Sequence, residues 1–227
     1  MSAARRAASP REQHESAFTA ILVGLVRRVP GARAAALVDF DGETVDYAGS
    51  LDPFTLKLAA AHWRIVLQQM TASGGPDVRW LWARARTSSY LVSALPDGYA
   101  LTLVLGRGAG FGGWRRAIAS CARDLGEEAG WSWHGAPPPP WFPVDVLTDA
   151  KRRPLALRCG EGHRPVEVLG AVAGGLGRRE RGWRVRFDGI EATLVREPGG
   201  VWYADEPPDS RTAAGAGSPA AARKKTR

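Results

Sequence analysis

The spacing of apolar residues in the first third of the chain predicts an amphipathic helix. Between Phe18 and Val29 the apolar positions recur at intervals of three and four, which is one stripe of a helix. Ser9 is a candidate N-cap, Pro10 suits the first helical position, and Glu12 completes a capping box. The helix is therefore expected to start at Ser9 and to end at Pro30-Gly31.

Alternation with a period of two then predicts strands. A small and β-branched run, residues 34–40, is followed by Asp41-Gly42, a signal for a type I′ turn, and by a return strand at 43–47. Three further strands form a meander, with Pro96-Asp97-Gly98 between the last two. They are expected at about 77–86, 89–95 and 99–106.

A second helix, from Asp52-Pro53 to about Ser73, is apolar on two faces. One face carries Phe54, Leu58, Ala61 and Ile65. The nearly opposite face carries Leu56, Ala59, Trp63, Val66 and Met70. A helix that is apolar on two sides is buried on two sides. One face can cover the protein's own sheet, so the other predicts a second subunit.

A third helix is predicted from Trp114 to about Ala129, after a glycine-rich loop at 106–113. Three glycines of this loop, Gly108, Gly110 and Gly113, match the pattern G-x-G-x-x-G. A dinucleotide site needs a parallel βαβ unit, whereas this loop follows an antiparallel meander. The loop is therefore interpreted as a connection, and no cofactor is expected.

Composition changes along the chain and suggests two domains between two tails. The expected organisation is a disordered tail at 1–8, an α/β domain at 9–130, a Pro/Trp-rich linker at 131–143, a small β-rich domain at 144–208, and a disordered basic tail at 209–227. Strands of the β-rich domain are expected at 166–168, 183–187, 192–196 and 201–204.

The formal net charge is +8 over 227 residues. The excess lies in the two tails and in residues 150–186, and the 12–143 region is balanced. The chain has only two cysteines and no apolar run of the ~18 residues that a membrane span needs. The N-terminus has no apolar segment typical of a secretory signal, so a cytoplasmic protein is expected. A bacterial origin is expected because the sequence is rich in Ala, Gly, Arg and Pro and contains no Asn.

The order of elements resembles the Roadblock/dynein light chain family from about residue 12 to 130. The segments that carry the resemblance are LVRRVPGARAAALVDFDGETV, the apolar helix that starts near Asp52, and YLVSALPDGYALTLVL. The resemblance implies an α/β sandwich with one five-stranded antiparallel sheet, helix 2 on one face and helices 1 and 3 on the other. The small mainly-β domain is an addition to that pattern.

The same resemblance implies a function. Members form homo- or heterodimers through helix 2 and the middle strand, and they bind and regulate small Ras-like GTPases. A homodimer is therefore expected, with a small Ras-like GTPase or another Roadblock protein as the partner. The residues expected at the dimer interface are Leu56, Ala59, Trp63, Val66, Met70, Trp80 and Trp82. Those expected to bind the partner are Arg64, Arg84 and Arg86.

The sequence carries no signature of catalysis or of a metal site. No P-loop is present, no serine stands in a nucleophile elbow, and Cys159-x₃-His163 has no second pair of ligands. A non-enzymatic adaptor or regulator is therefore expected.

The alternative is a nucleic-acid-binding protein in which the N-terminal domain only dimerises. Its contacts would be Lys151, Arg152, Arg153, Arg178, Arg179 and Arg181, in the most basic stretch of the chain.

Overall fold

A computed structural model describes residues 14–73, 78–107, 109, 114–133, 137–160, 162–172, 174 and 176–208. The chain forms two compact units. The first extends to Trp141 and includes Glu197–Gly200, and the second contains the remaining residues from Phe142 onward. The predicted tails at 1–8 and 209–227, and the glycines of the G-x-G-x-x-G motif, lie outside the described residues.

The first helix, α1, spans Ala17–Arg28, so it begins later than predicted. Ser16 is the N-cap, with its side chain accepting a hydrogen bond from the Phe18 amide. The Ser16 and Thr19 hydroxyls also donate to the carboxylate of Asp46, at 2.5 and 2.6 Å. The predicted start at Ser9 is wrong as a continuous helix, since residues 14–16 are not helical. A buried carboxylate on a neighbouring strand fixes the real start.

Five strands form the antiparallel sheet of the first unit, in the order β2-β1-β5-β4-β3. Their bounds are β1 Ala32–Val38, β2 Thr44–Gly49, β3 Trp80–Arg84, β4 Ser88–Ala94 and β5 Ala100–Gly106. The predicted type I′ turn at Asp41-Gly42 is wrong, because that turn needs a positive φ at both residues and only Gly42 has one. The Asp39 carboxylate instead accepts hydrogen bonds from the amides of Asp41 and Glu43.

Helix α2, Pro53–Ala72, covers one face of this sheet. Asp52 caps it, with its carboxylate accepting from the Thr55 amide at 3.0 Å. Apolar residues of α2 and of alternate strand positions form its core, including Leu56, Ala60 and Leu67. Helix α1 packs against β1 and β2 and contributes no residue to the core beneath α2, so it lies on the opposite face of the sheet.

Helix α3 spans Arg115–Ala129 and contacts α1. Arg28 of α1 donates to the Ser120 hydroxyl at 3.1 Å and lies 3.8 Å from the Asp124 carboxylate. Cys121 and Leu125 of α3 are fully buried. The two helices therefore form one layer, held by an apolar core and by Arg28.

The second unit contains a seven-stranded antiparallel sheet, in the order β8-β7-β6-β12-β11-β10-β9. Its strands are β6 Phe142–Thr148, β7 Pro154–Cys159, β8 Gly162–Pro165, β9 Glu167–Val172, β10 Arg181–Phe187, β11 Ile190–Arg196 and β12 Trp202–Ala204. Its core includes Leu157, Trp183, Phe187, Leu194 and Trp202.

The sequence pattern missed β6, β7 and β8. Prolines stand inside or at the start of two of them, Pro143 in β6 and Pro154 in β7, and proline weakens the strand signal. Part of the predicted linker, residues 142–143, belongs to β6. These strands are ordered by pairing with neighbours, such as Val146 with Leu157, rather than by local propensity.

Candidate protein-binding surface

Four residues of α2, spaced by four, four and three, form its inner face: Leu56, Ala60, Arg64 and Leu67. Leu56, Ala60 and Leu67 are at most 3% exposed and pack on the sheet. Arg64 lies on the same face and is 8% exposed. The side of α2 that carries Leu56 therefore covers the protein's own core.

The opposite side of α2 presents an apolar stripe to solvent. Phe54 is 71% exposed, Leu58 is 61% exposed and Ile65 is 49% exposed, and Ala61 lies between the last two in the same stripe. These four residues, spaced by four, three and four, are called the outer stripe below. Three large apolar side chains this exposed along one helix face are typical of an interaction surface.

The outer stripe is almost uncharged. The 20 residues of α2 contain no acidic side chain, and their only two cationic ones are Lys57 and the buried Arg64. Lys57 places its ammonium 5.4 Å from the centre of the Tyr47 ring. Depletion of charge is a property of the cores of protein interfaces.

Arg64 holds the turn between β4 and β5. Its Nε donates to the Gly98 carbonyl at 2.8 Å. Asp97 and Gly98 of that turn both have positive φ, 54° and 78°. Because its guanidinium serves the fold, the prediction that Arg64 lies on a partner-binding surface is wrong.

The predicted interface residues of α2 do not form one exposed face. Leu56 is 1% exposed and belongs to the core, so its placement at an interface is corrected by the structure. Trp63 and Val66 are half-buried against Leu67 and its neighbours. Ala59 is also half-buried, and Met70 is 45% exposed at the end of the helix.

Trp80 and Trp82 share one face of β3, as their spacing indicates, but it is the face opposite α2. Their strand partners are Ser93 and Leu91, whereas Leu81 between them pairs with Val92 on the α2 side. The ring centroids of Trp80 and Trp82 lie 4.7 and 5.5 Å from that of Trp114. These tryptophans therefore cannot extend the α2 face into a single patch.

The two remaining predicted partner contacts stand near the end of β3. Arg84 is its last residue, Arg86 follows in the turn to β4, and both are exposed. This strand lies at the edge of the five-stranded sheet, paired only with β4 among the described strands. Trp80 at the other end of β3 is 41% exposed, with the Arg115 guanidinium 5.0 Å from its ring centroid.

The basic residues predicted for nucleic-acid contact fall into two groups within the second unit. Lys151, Arg152 and Arg153 are exposed around the β6–β7 turn. Arg178, Arg179 and Arg181 are exposed at the start of β10 and line a common cavity. The structure brings together the residues of each group.

Ion pairs neutralise the other arginines of β10. Arg184 and Arg186 pair with Glu191 at 3.2 and 2.7 Å, and Arg186 also reaches Glu167 at 3.2 Å. Hydrogen bonds from Arg186 and Arg184 lower the pKa of Glu191. This part of the sheet surface is a balanced network.

The cysteines differ in exposure. Burial raises the pKa of the Cys121 thiol to about 12, so it is a neutral core side chain at physiological pH. Cys159 is half-buried.

Among the residues that the structure describes, no three His, Cys, Asp or Glu side chains come together as a metal site requires. Within the same ranges, no helix has the length and apolar character that crossing a bilayer requires.

Solved structures of Roadblock proteins resemble about half of this chain. A Roadblock/LC7 domain from Streptomyces avermitilis is 26% identical, with 47% of this chain and 87% of that chain covered and a TM-score of 0.36. The gliding protein MglB from Thermus thermophilus is 20% identical, with coverage of 52% and 94% and a TM-score of 0.43. MglC from Myxococcus xanthus is 22% identical, with coverage of 48% and 96% and a TM-score of 0.36.

These proteins are of the same family that the N-terminal half of the sequence resembles. No family profile matches the chain. No curated protein matches it either.

Proposed function

We propose that this chain is a dimeric, non-enzymatic adaptor or regulator that binds a small Ras-like GTPase or another Roadblock protein. The partner class rests on the resemblance of residues 12–130 to the Roadblock family. The role would be to bind the GTPase and bias its switch regions, in signalling or in cell polarity.

The observation that carries this proposal is the outer stripe of α2. Phe54, Leu58 and Ile65 are 71, 61 and 49% exposed on a helix whose other face already covers the sheet. A second copy of α2 is a suitable cover, since Pro53–Ala72 contains no acidic side chain and its two cationic ones are the half-buried Lys57 and the buried Arg64. Two such helices can pair without electrostatic repulsion along the stripe.

Arg84 and Arg86 are the proposed contacts for an acidic partner surface. Both are exposed, Arg84 at the end of the edge strand β3 and Arg86 in the turn after it, whereas the outer stripe lies on α2. Dimerisation and partner binding therefore use different residues in this proposal, and they can be disrupted separately.

The test is a nuclease-treated pull-down from the native host's lysate, with the full chain as bait and the lysate charged with GDP or with a non-hydrolysable GTP analogue. Three baits are compared: the wild type, the double variant R84E/R86E, and L155E, which changes an exposed leucine of the second unit. Enrichment of a small GTPase in one nucleotide state, lost with R84E/R86E and kept with L155E, is the expected result.

Recovery of the GTPase equally from both nucleotide states would favour a scaffold over a regulator. If neither a GTPase nor a Roadblock protein is recovered with the wild-type bait, the proposed function is wrong.

A further inference from the structure

A cavity of about 610 Å³ opens beside the start of β10 in the second unit. It is lined by Arg178, Arg179 and Arg181, and Val172 and Leu176 contribute its apolar wall. The volume lies within the range of roughly 300–1,000 Å³ that is usual for small-molecule sites. An apolar wall with a few converging charges is the usual composition of such a site.

A tight turn sets the positions of two of these arginines. The Glu180 amide donates to the Gly177 carbonyl at 3.0 Å, which closes a β-turn with Arg178 and Arg179 at its two central positions. The Gly177 amide in turn donates to the Glu180 carboxylate at 2.8 Å. Glu180, the acidic residue of the cavity wall, therefore has a local structural role in this turn.

Within the described part of the chain, Arg178, Arg179 and Arg181 form no ion pair and no side-chain hydrogen bond. The next arginines along the same strand, Arg184 and Arg186, are tied to Glu191 and Glu167. Among the arginines of β10 and of the turn before it, those that line the cavity are thus the ones without an ion pair in the described part of the chain.

The apolar wall lies over Gly182. Trp183, the next residue of β10, points to the opposite face of the strand, where its ring lies 5.1 Å from that of Trp202 in the core. A Cβ at position 182 would lie 3.0 Å from Val172 Cβ and 3.1 Å from a Leu176 methyl. Gly182 therefore lets these side chains close against the strand beside the arginines.

We propose that this cavity binds a small phosphorylated ligand, with the phosphate held by Arg178, Arg179 and Arg181 and an apolar or aromatic part against Val172 and Leu176. Guanidinium groups donate in pairs to phosphate oxygens, and three of them match a dianion that carries three terminal oxygens. A nucleic-acid strand is a poorer match, because tracking a backbone needs a line of available cations and those beyond Arg181 on β10 are ion-paired.

The test is isothermal titration of the full chain at low ionic strength with four separate probes: adenosine 5′-monophosphate, adenosine, inorganic phosphate and a single-stranded oligonucleotide. The variants are R178A/R179A/R181A and the matched control R184A/R186A, which removes two arginines of the same strand outside the cavity. Circular dichroism checks that the exposed substitutions leave the sheet intact.

The expected result is saturable binding of the monophosphate and none of adenosine, with affinity reduced about a hundredfold in the triple variant and changed less than about threefold in the control. If inorganic phosphate binds with the same affinity as adenosine 5′-monophosphate, free phosphate is the ligand. The proposal is overturned if neither phosphate probe binds, if the triple variant binds as the wild type does, or if only the oligonucleotide binds and both variants weaken it equally. The assay is independent of GTPase binding.

Discussion

The substitution Leu58→Glu should separate the protomers of the proposed dimer without unfolding them. Leu58 is 61% exposed at the middle of the outer stripe, so a glutamate there remains solvated in the monomer. In a two-fold pair each interface carries the change twice, and two carboxylates would be brought into an apolar seam.

The structure gives the magnitude. Full burial of a large apolar side chain is worth about 1.5–3 kcal/mol. Covering the exposed 71% of Phe54, 61% of Leu58 and 49% of Ile65 thus gives about 4 kcal/mol per protomer, or about 8 kcal/mol for a pair. Leu58 accounts for about 3 kcal/mol of the pair, so its loss alone should weaken dimerisation by about a hundredfold.

The assay is sedimentation velocity over a concentration series, with L155E as the matched control. Leu155 is 53% exposed and lies in β7 of the second unit, so the same chemical change is made at similar exposure away from α2. The thermal midpoint of L58E should stay near that of wild-type monomer. Unchanged self-association of L58E, or an equal loss in L155E, would refute the assignment of the outer stripe as the dimer surface.

Two further predictions concern Arg64 and the two cysteines. Arg64→Met removes the donor to the Gly98 carbonyl but keeps an apolar stem, so stability should fall by about 2 kcal/mol, or about 4–8 °C in thermal midpoint. Arg86→Met, at an exposed turn, should leave the thermal midpoint unchanged. Equal midpoints for the two variants would contradict the role of Arg64. Burial raises the pKa of Cys121 to about 12, so at pH 8 a thiol reagent should label only Cys159 in the folded protein and both cysteines in urea. Mass spectrometry of labelled peptides measures this. Rapid labelling of Cys121 in the folded chain would contradict its burial.

Local signals in the sequence were sufficient where the structure depends on neighbours in the chain. Asp52-Pro53 starts α2 and Pro30-Gly31 follows the end of α1, because caps and prolines act within one turn. The start of α1 was missed because the Ser16 cap is completed by Asp46, 30 residues away in the chain. Similarly, β6 to β8 carry weak strand signals and are defined by pairing within the second sheet.

The error on α2 has a physical cause that periodicity could not reveal. Helical spacing separates the two sides of α2, but it does not say which one faces the protein's own sheet. The inner face includes Arg64, and a charged residue on a helix predicts contact with solvent or with a partner. In the structure, its guanidinium instead donates to the carbonyl of Gly98, in a turn far away in the sequence. A buried arginine is tolerated only with such a partner, and only tertiary structure supplies it. The more uniformly apolar side, with Phe54, Leu58 and Ile65, is consequently left outside, which makes it the surface that a second protein would have to cover.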